Sequence, residues 1–481
     1  MPLDTIQIHE VGEVREVRKD IAKITGLNSC MIGEIIEFTP DSKGMIFGFE
    51  EGAAFAFLLG KVTEVKVGGP AYSALEPFNV PAGEAFVGRM VNALAEPLDS
   101  KGEIAADVNV PIFREAPGVL ERVPISRVLE TGILSLDTTI PIGKGQRELI
   151  IGDRMTGKTT VCVDTILNQK GKDVICIYCC IGRSNSSLRR VVETLNVAGA
   201  MDYTIVVSAT GSCCSGEQYL APYTAAALGE YFMDRGRDVY VVFDDLTKHA
   251  WAYRQISLLL ERPPGRECYP GDVFYLHSQL MERAGQFSPE MGGGSMTFFP
   301  IVDTLQGDVT GFIPSNLVSM TDGQIYMGTN LFNSGFRPAI DLGLSVSRIG
   351  SKVQGPMMKK LSSMLRLEYV QYVELLKKTR FSAGVTDELR ERLRPGEILT
   401  RLFTQDAADP YRTEKILVFL HALKQKFLHE RESVEIERFK SDFVPFLSHE
   451  APEVVKAFTD QKPLSAGEEE QLERTMEKFF A

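Results

Sequence analysis

The pattern of apolar and polar positions changes twice along the chain. Over residues 1–74, short apolar or alternating runs are separated by turn residues, and these runs are EVREV, IAKI, MIGEIIEF, GMIFGF, AAFAFLL and KVTEVKV. Short strands at this spacing predict a small β-barrel. Over residues 75–353, apolar strand-like runs alternate with helical segments, which is typical of an α/β domain with a mostly parallel sheet. Over residues 354–481, apolar residues recur at intervals of three and four, which predicts helices.

The length and composition are those of a globular protein with several domains. At 481 residues, the chain is too long for a single hydrophobic core. No apolar run approaches the ~20 residues of a membrane helix. The first residues, MPLDTIQIHEVGEV, lack the basic and apolar regions of a signal peptide. A net charge of −12 argues against nucleic acid or an anionic membrane as the main partner.

Six of the eight cysteines lie between residues 162 and 214, so a metal site has to be considered. The candidate zinc ligands are Cys176, Cys179, Cys180, Cys213 and Cys214. However, VICIYCCIG at 174–182 is a continuous apolar run, in which cysteine behaves as a small buried hydrophobic residue. We therefore interpret these cysteines as core residues, and free thiols are expected in a reducing cytoplasm.

The stretch IGDRMTGKTT, at residues 151–160, fits the phosphate-binding pattern G-x(4)-G-K-[ST], which is known as the P-loop. In this pattern glycines turn backbone N–H groups toward phosphate oxygens, Lys158 neutralises the β- and γ-phosphates, and the Thr159 hydroxyl ligates Mg²⁺. An apolar run over 145–152 and an amphipathic helix over 159–171 flank it, which disfavours a chance glycine turn. The predicted nucleotide-binding residues here are Gly152, Asp153, Arg154, Met155, Thr156, Gly157, Lys158, Thr159 and Thr160.

A second element of a nucleotide site lies downstream in DVYVVFDDLTKHA, at 238–250, an apolar run that ends in Asp244 and Asp245. A buried parallel strand delivers its C-terminal residues to the sheet edge where ligands bind. A carboxylate there can hold a water molecule on the Mg²⁺ of a bound nucleotide, and this is the role predicted for Asp244. Because many strands end in aspartate, the element supports a nucleotide site only together with the P-loop.

Long segments of the chain resemble the alpha subunits of F-type ATP synthases. These segments are VGRMVNALAEPLDSKG (87–102), TGILSLDTTIPIGKGQRELIIGDRMTGKT (131–159), AYRQISLLLERPPGRECYPGDVFYLHSQLMERA (252–284), TDGQIYM (321–327) and RPAIDLGLSVSRIG (337–350). The resemblance implies a multidomain fold: an N-terminal β-barrel, a central α/β P-loop domain of RecA-like type and a C-terminal α-helical domain. These match the three regions defined by the apolar pattern. It also implies ATP or ADP with Mg²⁺ as cofactors.

The same resemblance implies an assembly and a location. Alpha subunits of this family alternate with beta subunits, three of each, in a ring around a gamma central stalk, and a peripheral stalk holds the ring. The complex couples ATP synthesis or hydrolysis to the transport of H⁺ or Na⁺, and the membrane subunits choose the ion. We therefore expect a peripheral protein at the cytoplasmic face of a prokaryotic cell membrane, associated with the membrane only through the ion-translocating sector.

One turn indicates that the chain's own site does not hydrolyse nucleotide. Catalytic beta relatives carry a glutamate in a V-G-E-R-type turn, where it acts on the attacking water, and alpha subunits typically carry glutamine there. The matching turn here is Ile181-Gly182-Arg183-Ser184. Because arginine cannot accept a proton from water, we predict binding of Mg-ATP without turnover. Arg183 could pair with phosphate or be a solvated loop residue, and the sequence leaves both uses open.

Two further sets of site residues come from the resemblance. SVSRIG, at 345–350, resembles the family segment whose arginine reaches the γ-phosphate bound in the neighbouring beta subunit. This implies that Arg348 is an arginine finger that stabilises charge on the transferring phosphoryl group, with Ser345 and Ser347 helping to set its position. The resemblance also implies that the adenine is bordered by Arg337, Pro338 and Gln405.

The chain departs from the alpha pattern at several places. Met155 replaces a glutamine inside the P-loop, Arg183 replaces the glutamine of the turn, and Ala407 stands where alpha chains often carry a second adenine-pocket glutamine. Because the barrel pattern begins near residue 11, we expect the chain to lack the family's N-terminal extension, which docks the delta subunit and the peripheral stalk. This short start matches the alternate N-type F-type ATPases, which are thought to pump Na⁺ and are described as lacking a delta subunit.

Two other classes of hexameric ATPase compete with this interpretation. A self-sufficient catalytic ATPase, of beta-like or secretion type, is disfavoured by the IGRS turn without a carboxylate and by the alpha-like SVSR segment. An RNA-translocating hexamer would also place a β-barrel before a P-loop domain. The acidic net charge and the absence of basic residues interleaved with barrel aromatics disfavour it.

Overall fold

The computed structural model of the chain describes residues 10–379 and 387–481. Its strands, in chain order, are β1 (Glu10–Arg18), β2 (Ile21–Thr25), β3 (Glu34–Thr39), β4 (Ser42–Glu50), β5 (Ala53–Gly60), β6 (Pro70–Pro77), β7 (Asn79–Ala82), β8 (Met90–Val91), β9 (Val108–Pro111), β10 (Val128–Leu129), β11 (Ile142–Gly143), β12 (Leu149–Asp153), β13 (Val174–Ile181), β14 (Thr204–Ala209), β15 (Asp238–Asp244), β16 (Gly285–Gln286), β17 (Ser295–Thr304), β18 (Gly323–Met327) and β19 (Val346–Ser347).

The helices of the described residues, in chain order, are α1 (Leu134–Thr139), α2 (Lys158–Leu167), α3 (Asn185–Val197), α4 (Ser215–Met233), α5 (Leu246–Leu259), α6 (Val273–Met281), α7 (Phe312–Met320), α8 (Thr329–Asn333), α9 (Pro356–Ser362), α10 (Leu365–Thr379), α11 (Asp387–Phe403), α12 (Thr413–Lys424), α13 (Ser433–Glu450), α14 (Pro452–Thr459) and α15 (Ala466–Phe480). The chain divides into two units. The first contains residues 10–124, 172–303 and 309–321, and the second contains residues 125–171, 304–308, 322–379 and 387–481.

The first unit begins with a closed barrel in the strand order β1-β2-β5-β4-β3-β6, with β6 pairing back to β1. Alternate residues of these strands point inward and are fully buried, as Ile24, Ile36 and Leu58 are. This burial on one face is what the alternating runs predict. The predicted N-terminal β-barrel is therefore confirmed.

One of the predicted barrel strands is wrong. The run KVTEVKV does not pair with the barrel; it contains a short 3₁₀ turn at Val62–Glu64, and only Val65 of the run is buried. The last barrel strand is instead β6, which pairs with both β1 and β3. β6 begins and ends with proline and has little apolar alternation, so its own sequence pattern does not indicate a barrel strand.

A parallel sheet follows in the first unit, in the order β17-β15-β13-β14-β8. Every residue of β13 is buried, and α4 packs against β13, β14 and β15. A strand covered on both faces has to be apolar throughout, which explains the run VICIYCCI. Because β13 and β15 are parallel with Cys180 opposite Asp244, the turn after β13 lies beside the end of β15.

In the second unit, β18 lies between the strand that carries the P-loop and the strand that precedes Arg348. β18 pairs in parallel with β12, with Met327 opposite Gly152, and antiparallel with β19, with Gly323 opposite Ser347; Arg348 is the residue directly after β19. The two candidate site segments of this unit therefore adjoin strands that flank β18 on its two sides.

The C-terminal residues of the second unit form helices α9–α15, which confirms the predicted helical region. Their apolar residues recur at helical spacing, as in α13, where Ile436, Phe439, Phe443 and Leu447 are buried. The long run MMKKLSSMLRLEYVQYVELLKK is divided between α9 and α10. The domain boundaries near residues 74 and 353 stay predictions.

Candidate functional site

The P-loop links β12, which ends at Asp153, to α2, which begins at Lys158. Gly157 precedes the helix with φ 96°, and Met155 has φ 64°, so the loop turns through left-handed conformations. At Gly152 a β-carbon would lie 2.9 Å from the Met327 Cβ, so the close approach of β12 and β18 requires glycine there. The helix starts where the loop ends, which directs backbone N–H groups into the loop.

Lys158 is folded inward onto the loop that carries it. Its Nζ donates hydrogen bonds to the carbonyl oxygens of Gly152, at 2.8 Å, and Asp153, at 2.5 Å, and the residue is only 5% exposed. The Thr156 hydroxyl donates to the same Asp153 carbonyl at 2.8 Å. The loop therefore already encloses an ammonium group, the arrangement that a phosphate-binding loop requires.

Asp153 ties the loop to two neighbouring segments of the same unit. One carboxylate oxygen accepts hydrogen bonds from the Thr304 hydroxyl at 2.6 Å and the Gly307 N–H at 2.8 Å, and the other accepts from the Thr329 hydroxyl at 2.7 Å. Burial raises the pKa of Asp153, but these hydrogen bonds and the charge of Lys158 outweigh it, and the pKa is lowered. A carboxylate held in this way orients the loop rather than serving as a proton acceptor.

The other predicted loop residues face outward to different extents. Arg154 and Thr160 are exposed, Thr159 is half-buried, and Met155 is 88% exposed. The methionine that replaces the family glutamine therefore projects away from the loop, whereas Thr159 lies in the first turn of α2, one residue after Lys158.

The three residues predicted to border the adenine are placed close together. The Arg337 guanidinium lies 3.6 Å from the centre of the Phe332 ring and donates to the carbonyl oxygens of Phe332 and Phe336. Gln405 is 6% exposed, and its N–H donates to the Arg337 carbonyl at 2.7 Å. Its side-chain amide donates to the carbonyl oxygens of Gly132 and Asp409 at 2.8 and 2.6 Å.

A small cavity lies next to these residues. Its lining is Ser135, Phe336, Arg337, Pro338, Ile340, Leu342, Tyr369, Phe403 and Thr404, and its volume is about 10 Å³. That is about the room needed for one water molecule. A purine would enter only if aromatic side chains such as Phe336 and Tyr369 moved aside. Gln405 does not line this cavity, because its amide is turned toward Gly132.

The P-loop helix is attached to the C-terminal segment through Asp164. This residue lies on α2, is 8% exposed, and accepts a hydrogen bond from the Ala408 N–H at 2.8 Å. Burial raises the pKa of Asp164 to about 6, the hydrogen bond from Ala408 opposes that effect, and the nearby charge of Asp409 adds to it. The adjacent Ala407, where alpha chains often carry glutamine, belongs to this segment.

Arg348 follows β19 and differs from Lys158 in every respect of its environment. Its side chain is exposed and makes no hydrogen bond or ion pair with any residue of the described ranges 10–379 and 387–481. Its backbone N–H donates to the Asp322 carbonyl at 2.8 Å. The backbone of this loop is therefore fixed while the guanidinium is exposed to solvent.

The two serines of this segment stabilise the loop from inside. Ser345 is fully buried; its hydroxyl donates to the Asp341 carbonyl at 2.6 Å and accepts from the Tyr326 N–H at 2.9 Å. The Ser347 hydroxyl accepts from the Gly350 N–H at 3.1 Å and from the Gln146 side chain at 3.0 Å. Both serines therefore make contacts suited to positioning Arg348.

Sequence reasoning missed the residues that hold this loop from below. They are Gln146, Arg147 and Glu148, which precede β12, and Asp322, which precedes β18. Glu148 is fully buried, and burial is the main reason that its pKa is well above its usual range. The hydrogen bond from Gln146 opposes this effect, and the charge of Asp322 adds to it. A signal was present: three consecutive polar residues directly before a buried strand need partners.

In the first unit, the end of β15 has an unexpected partner. The Asp244 carboxylate is fully buried; one oxygen accepts from the Arg183 guanidinium at 2.6 Å and the other from the Tyr178 hydroxyl at 2.7 Å. Burial lowers the pKa of Arg183, but the charges of Asp244 and Tyr178 outweigh it, and the net shift is upward. Arg183 is thus bound to an aspartate, which neither use considered from the sequence had included.

Asp245 serves a structural purpose. Its carboxylate accepts from the Lys248 N–H at 2.8 Å and so caps α5. Burial, followed by the charges of Asp303 and Asp244, raises the pKa of Asp245 to about 7. Its predicted part in nucleotide binding stays a prediction.

The interpretation of the candidate cysteines as core residues is confirmed for the three on β13 but not for Cys213 and Cys214, which are half-buried. Cys176, Cys179 and Cys180 lie in the fully buried β13, where burial raises the pKa of each thiol. Within residues 10–379 and 387–481, no group of three or more His, Cys, Asp and Glu side chains is arranged to hold a metal ion. None of the helices in the described residues has the length and apolar character needed to cross a membrane.

Comparisons with known proteins cover nearly the whole chain. Residues 132–347 match the nucleotide-binding domain of the ATP synthase alpha/beta family, and residues 354–479 match the C-terminal domain of the ATP synthase alpha/beta chain. Two relatives are the ATP synthase subunit alpha of Clostridium botulinum (strain Eklund 17B / Type B), 44% identical over 98% of this chain and 94% of the relative, and that of Clostridium acetobutylicum, 46% identical over 97% and 93%.

Proposed function

Because the chain belongs to the family of F-type ATP synthase alpha subunits, we propose that it holds nucleotide at its own P-loop without hydrolysing it, while Arg348 acts at a neighbouring catalytic site. Family membership connects the chain with ATP synthesis, nucleotide binding and ion transport. The division of labour between a silent site and a donated arginine goes further, and the side chains that bear on it are Arg183 and Arg348.

The observation that carries the silent site is the Arg183–Asp244 pair. Hydrolysis needs a group that orients and deprotonates the attacking water, and the turn after β13 is where the family's catalytic chains carry it. Here that turn presents a guanidinium that is already bonded to a buried carboxylate at 2.6 Å. An arginine that never loses its charge cannot act as a base.

The P-loop fits phosphate groups, and this fit supports ATP or ADP as the ligand. The Lys158 ammonium donates to two carbonyl oxygens of the loop, and phosphate oxygens can replace these as acceptors. The first turn of α2 supplies further N–H donors. We propose that Thr159 holds Mg²⁺, which would neutralise phosphate charge when bound. The Asp244 carboxylate accepts hydrogen bonds from Tyr178 and Arg183, and a water-mediated Mg²⁺ contact at Asp244 stays a prediction.

The exposure of Arg348 supports its proposed role at a neighbour. An arginine finger must reach a phosphoryl group in another subunit, so it cannot be committed to an ion pair within its own chain. In related NTPases such a finger accelerates turnover by about 10³–10⁵-fold. We propose beta subunits as the neighbours in an alternating ring with a gamma stalk and a peripheral stalk, at the cytoplasmic face of the membrane, coupled to transport of H⁺ or Na⁺.

The purified chain alone tests the silent site. We expect it to bind Mg-ATP in an equilibrium binding assay and to release no phosphate above the level of the Lys158→Ala variant. The variant is the matched control, because it removes the phosphate-binding ammonium and leaves contaminating ATPases unchanged. Phosphate release by the native chain that disappears in Lys158→Ala would identify a self-sufficient catalytic ATPase instead.

A further inference from the structure

The hydrogen bonds beneath the Arg348 loop carry an inference beyond the role of Arg348 itself. We propose that Gln146 and the Arg147–Asp322 ion pair are positioning residues for Arg348, because they fix its loop to the strand that leads into the chain's own P-loop. The inference rests on the proposed function of Arg348 and adds to it the means by which an exposed guanidinium is held at a defined place.

Asp322 is the residue that joins the two parts. Its carboxylate accepts from Arg147 Nε at 3.0 Å and Nη2 at 2.9 Å, which is a two-pronged pair, and from the Arg147 N–H at 3.0 Å. Its own carbonyl oxygen accepts the Arg348 N–H at 2.8 Å. The side chains of Arg147 and Asp322 are only 19% and 20% exposed, so water competes weakly with this pair.

Gln146 makes the second connection, to the residue before Arg348. Its side-chain NH₂ donates to the Ser347 hydroxyl at 3.0 Å and to the Glu148 carboxyl at 2.6 Å, and its Oε1 accepts from the Gly143 N–H at 2.8 Å. Gln146 is fully buried, so these bonds have no alternative in water. Each hydrogen of the amide has one partner, which fixes the orientation of the group.

The packing around these bonds leaves the loop little room to move. A β-carbon at Gly323 would lie 2.6 Å from Glu148 Oε2 and would collide with the Val346 carbonyl. The backbones of β18 and β19 therefore pass directly over Glu148. The Ser347 hydroxyl also accepts from the Gly350 N–H at 3.1 Å, which closes the turn that contains Arg348.

These contacts matter because Arg348 has no side-chain partner of its own within the part of the chain that the structure describes. Its direction is set by its backbone, and the backbone is set by Asp322 and Ser347. A misplacement of about 1 Å at a group that acts in a transition state can cost about a hundredfold in rate. Loosening either connection should therefore reduce turnover without weakening nucleotide binding.

The test uses Gln146→Leu and Arg147→Lys in the assembled complex of this chain with its catalytic partner subunits. Leucine keeps the volume of Gln146 but removes the bond to Ser347, and lysine keeps the charge of Arg147 but loses the two-pronged geometry. We expect each variant to lower kcat by about tenfold with nearly unchanged KM and nucleotide affinity. Gln169→Leu is the matched control. Gln169 is also a buried glutamine, but its side chain donates to the Glu130 and Thr165 carbonyls and does not contact the Arg348 loop.

A double-mutant cycle with Arg348→Ala separates positioning from general support of the fold. If the two residues act through Arg348, neither variant should lower kcat further once Arg348 is alanine. If Arg348→Ala is slow but Gln146→Leu and Arg147→Lys lower kcat by the same factor in both backgrounds, or have no effect, this inference is overturned and the arginine finger stands. If Arg348→Ala itself turns over normally, the proposed function fails first. Should Gln146→Leu not assemble, the Arg147→Lys cycle decides.

Discussion

Lys158 and Arg348 are two cations of the same unit that follow the strands on either side of β18, and they are held in opposite ways. The ammonium of Lys158 is 5% exposed and bonded to two carbonyl oxygens of its own loop. The guanidinium of Arg348 is exposed, and only its backbone N–H is bonded, to Asp322. A side chain held inward can serve a ligand of its own chain, whereas one held only by its backbone is free to serve a ligand outside it.

This difference gives the two loops different tasks although their strands, β12 and β19, both pair with β18. The P-loop stores its cation where a phosphate can replace the carbonyl oxygens. The Arg348 loop uses bonds from Gln146 and Asp322 to fix the base of the arginine and leaves its tip unbound. The energetic consequence is that one cation should act on affinity and the other on rate.

The largest expected effect comes from substituting Arg348, the cation of the two that is exposed. In the assembled complex, Arg348→Ala should lower ATPase turnover by about a hundredfold or more, because the charge on the transferring phosphoryl group loses its stabilising partner. Arg348→Lys should rescue poorly, since a point charge does not reproduce the planar fork. The measurement is turnover and nucleotide affinity of the same purified complex, after its subunit ratio has been confirmed.

The control for this experiment is Arg412→Ala, an exposed arginine on the same unit, before α12. It should leave turnover within about twofold of the native complex, as surface substitutions usually do. Near-normal turnover in an intact Arg348→Ala ring would remove Arg348 from the catalytic residues. A loss of nucleotide affinity equal to the loss of turnover would assign it to binding instead.

A smaller effect, on nucleotide affinity, is expected from substituting the P-loop residues Lys158 and Thr159. Lys158→Ala should weaken nucleotide binding to this chain by about thirtyfold, and Thr159→Ala should weaken it less and mainly when Mg²⁺ is present. The complex should stay partly active, because the chemistry takes place at the neighbour. Equilibrium binding and ATPase activity are measured on the same samples, with and without Mg²⁺. Loss of all activity in a complex that still assembles and still carries nucleotide on this chain would show that the site is not silent.

The local parts of this architecture could be predicted from the sequence, and the reason is physical. A P-loop is specified by a few consecutive residues, since glycine conformations, Lys158 and the start of α2 all follow from one short stretch. The barrel could be predicted in kind because inward and outward residues alternate along its strands. Its last strand, β6, could not be, because it begins and ends with proline and depends on pairing with β1 and β3 rather than on its own pattern.

The parts that could not be predicted join residues distant in sequence. The partner of Arg183 follows from the parallel register that places Cys180 opposite Asp244, and no local pattern gives that register. The bond between Gln146 and Ser347 spans 201 positions of the chain. Such contacts depend on which strands become neighbours in the sheet. Hydrophobic patterning does not encode that β18 lies between β12 and β19.

The smallest expected effect is on the free energy of unfolding, and it concerns Asp164, which attaches the P-loop helix α2 to the segment that contains Ala408. The pKa of Asp164 is raised to about 6 in the folded chain, mainly by burial, whereas the pKa of an aspartate in an unfolded chain is about 4. The folded state therefore binds the proton more tightly, and the stabilisation by that proton is full below about pH 4 and lost as the pH rises through about 6.

Asp164→Asn removes this titration and keeps an oxygen that can accept the Ala408 N–H, now bonded at 2.8 Å. We expect the variant to gain about 1 kcal/mol of unfolding free energy relative to the native chain between pH 5 and pH 7.5, because above pH 6 only the native chain carries a buried charge. Urea unfolding at both pH values measures this, and Asp442→Asn, at an exposed position of α13, is the control. Hydrogen exchange at Ala408 should slow in the variant at pH 7.5 if the gain arises at this contact. An equal change at pH 5 and pH 7.5 would mean that Asp164 does not titrate in this range and that its proton does not contribute to stability there.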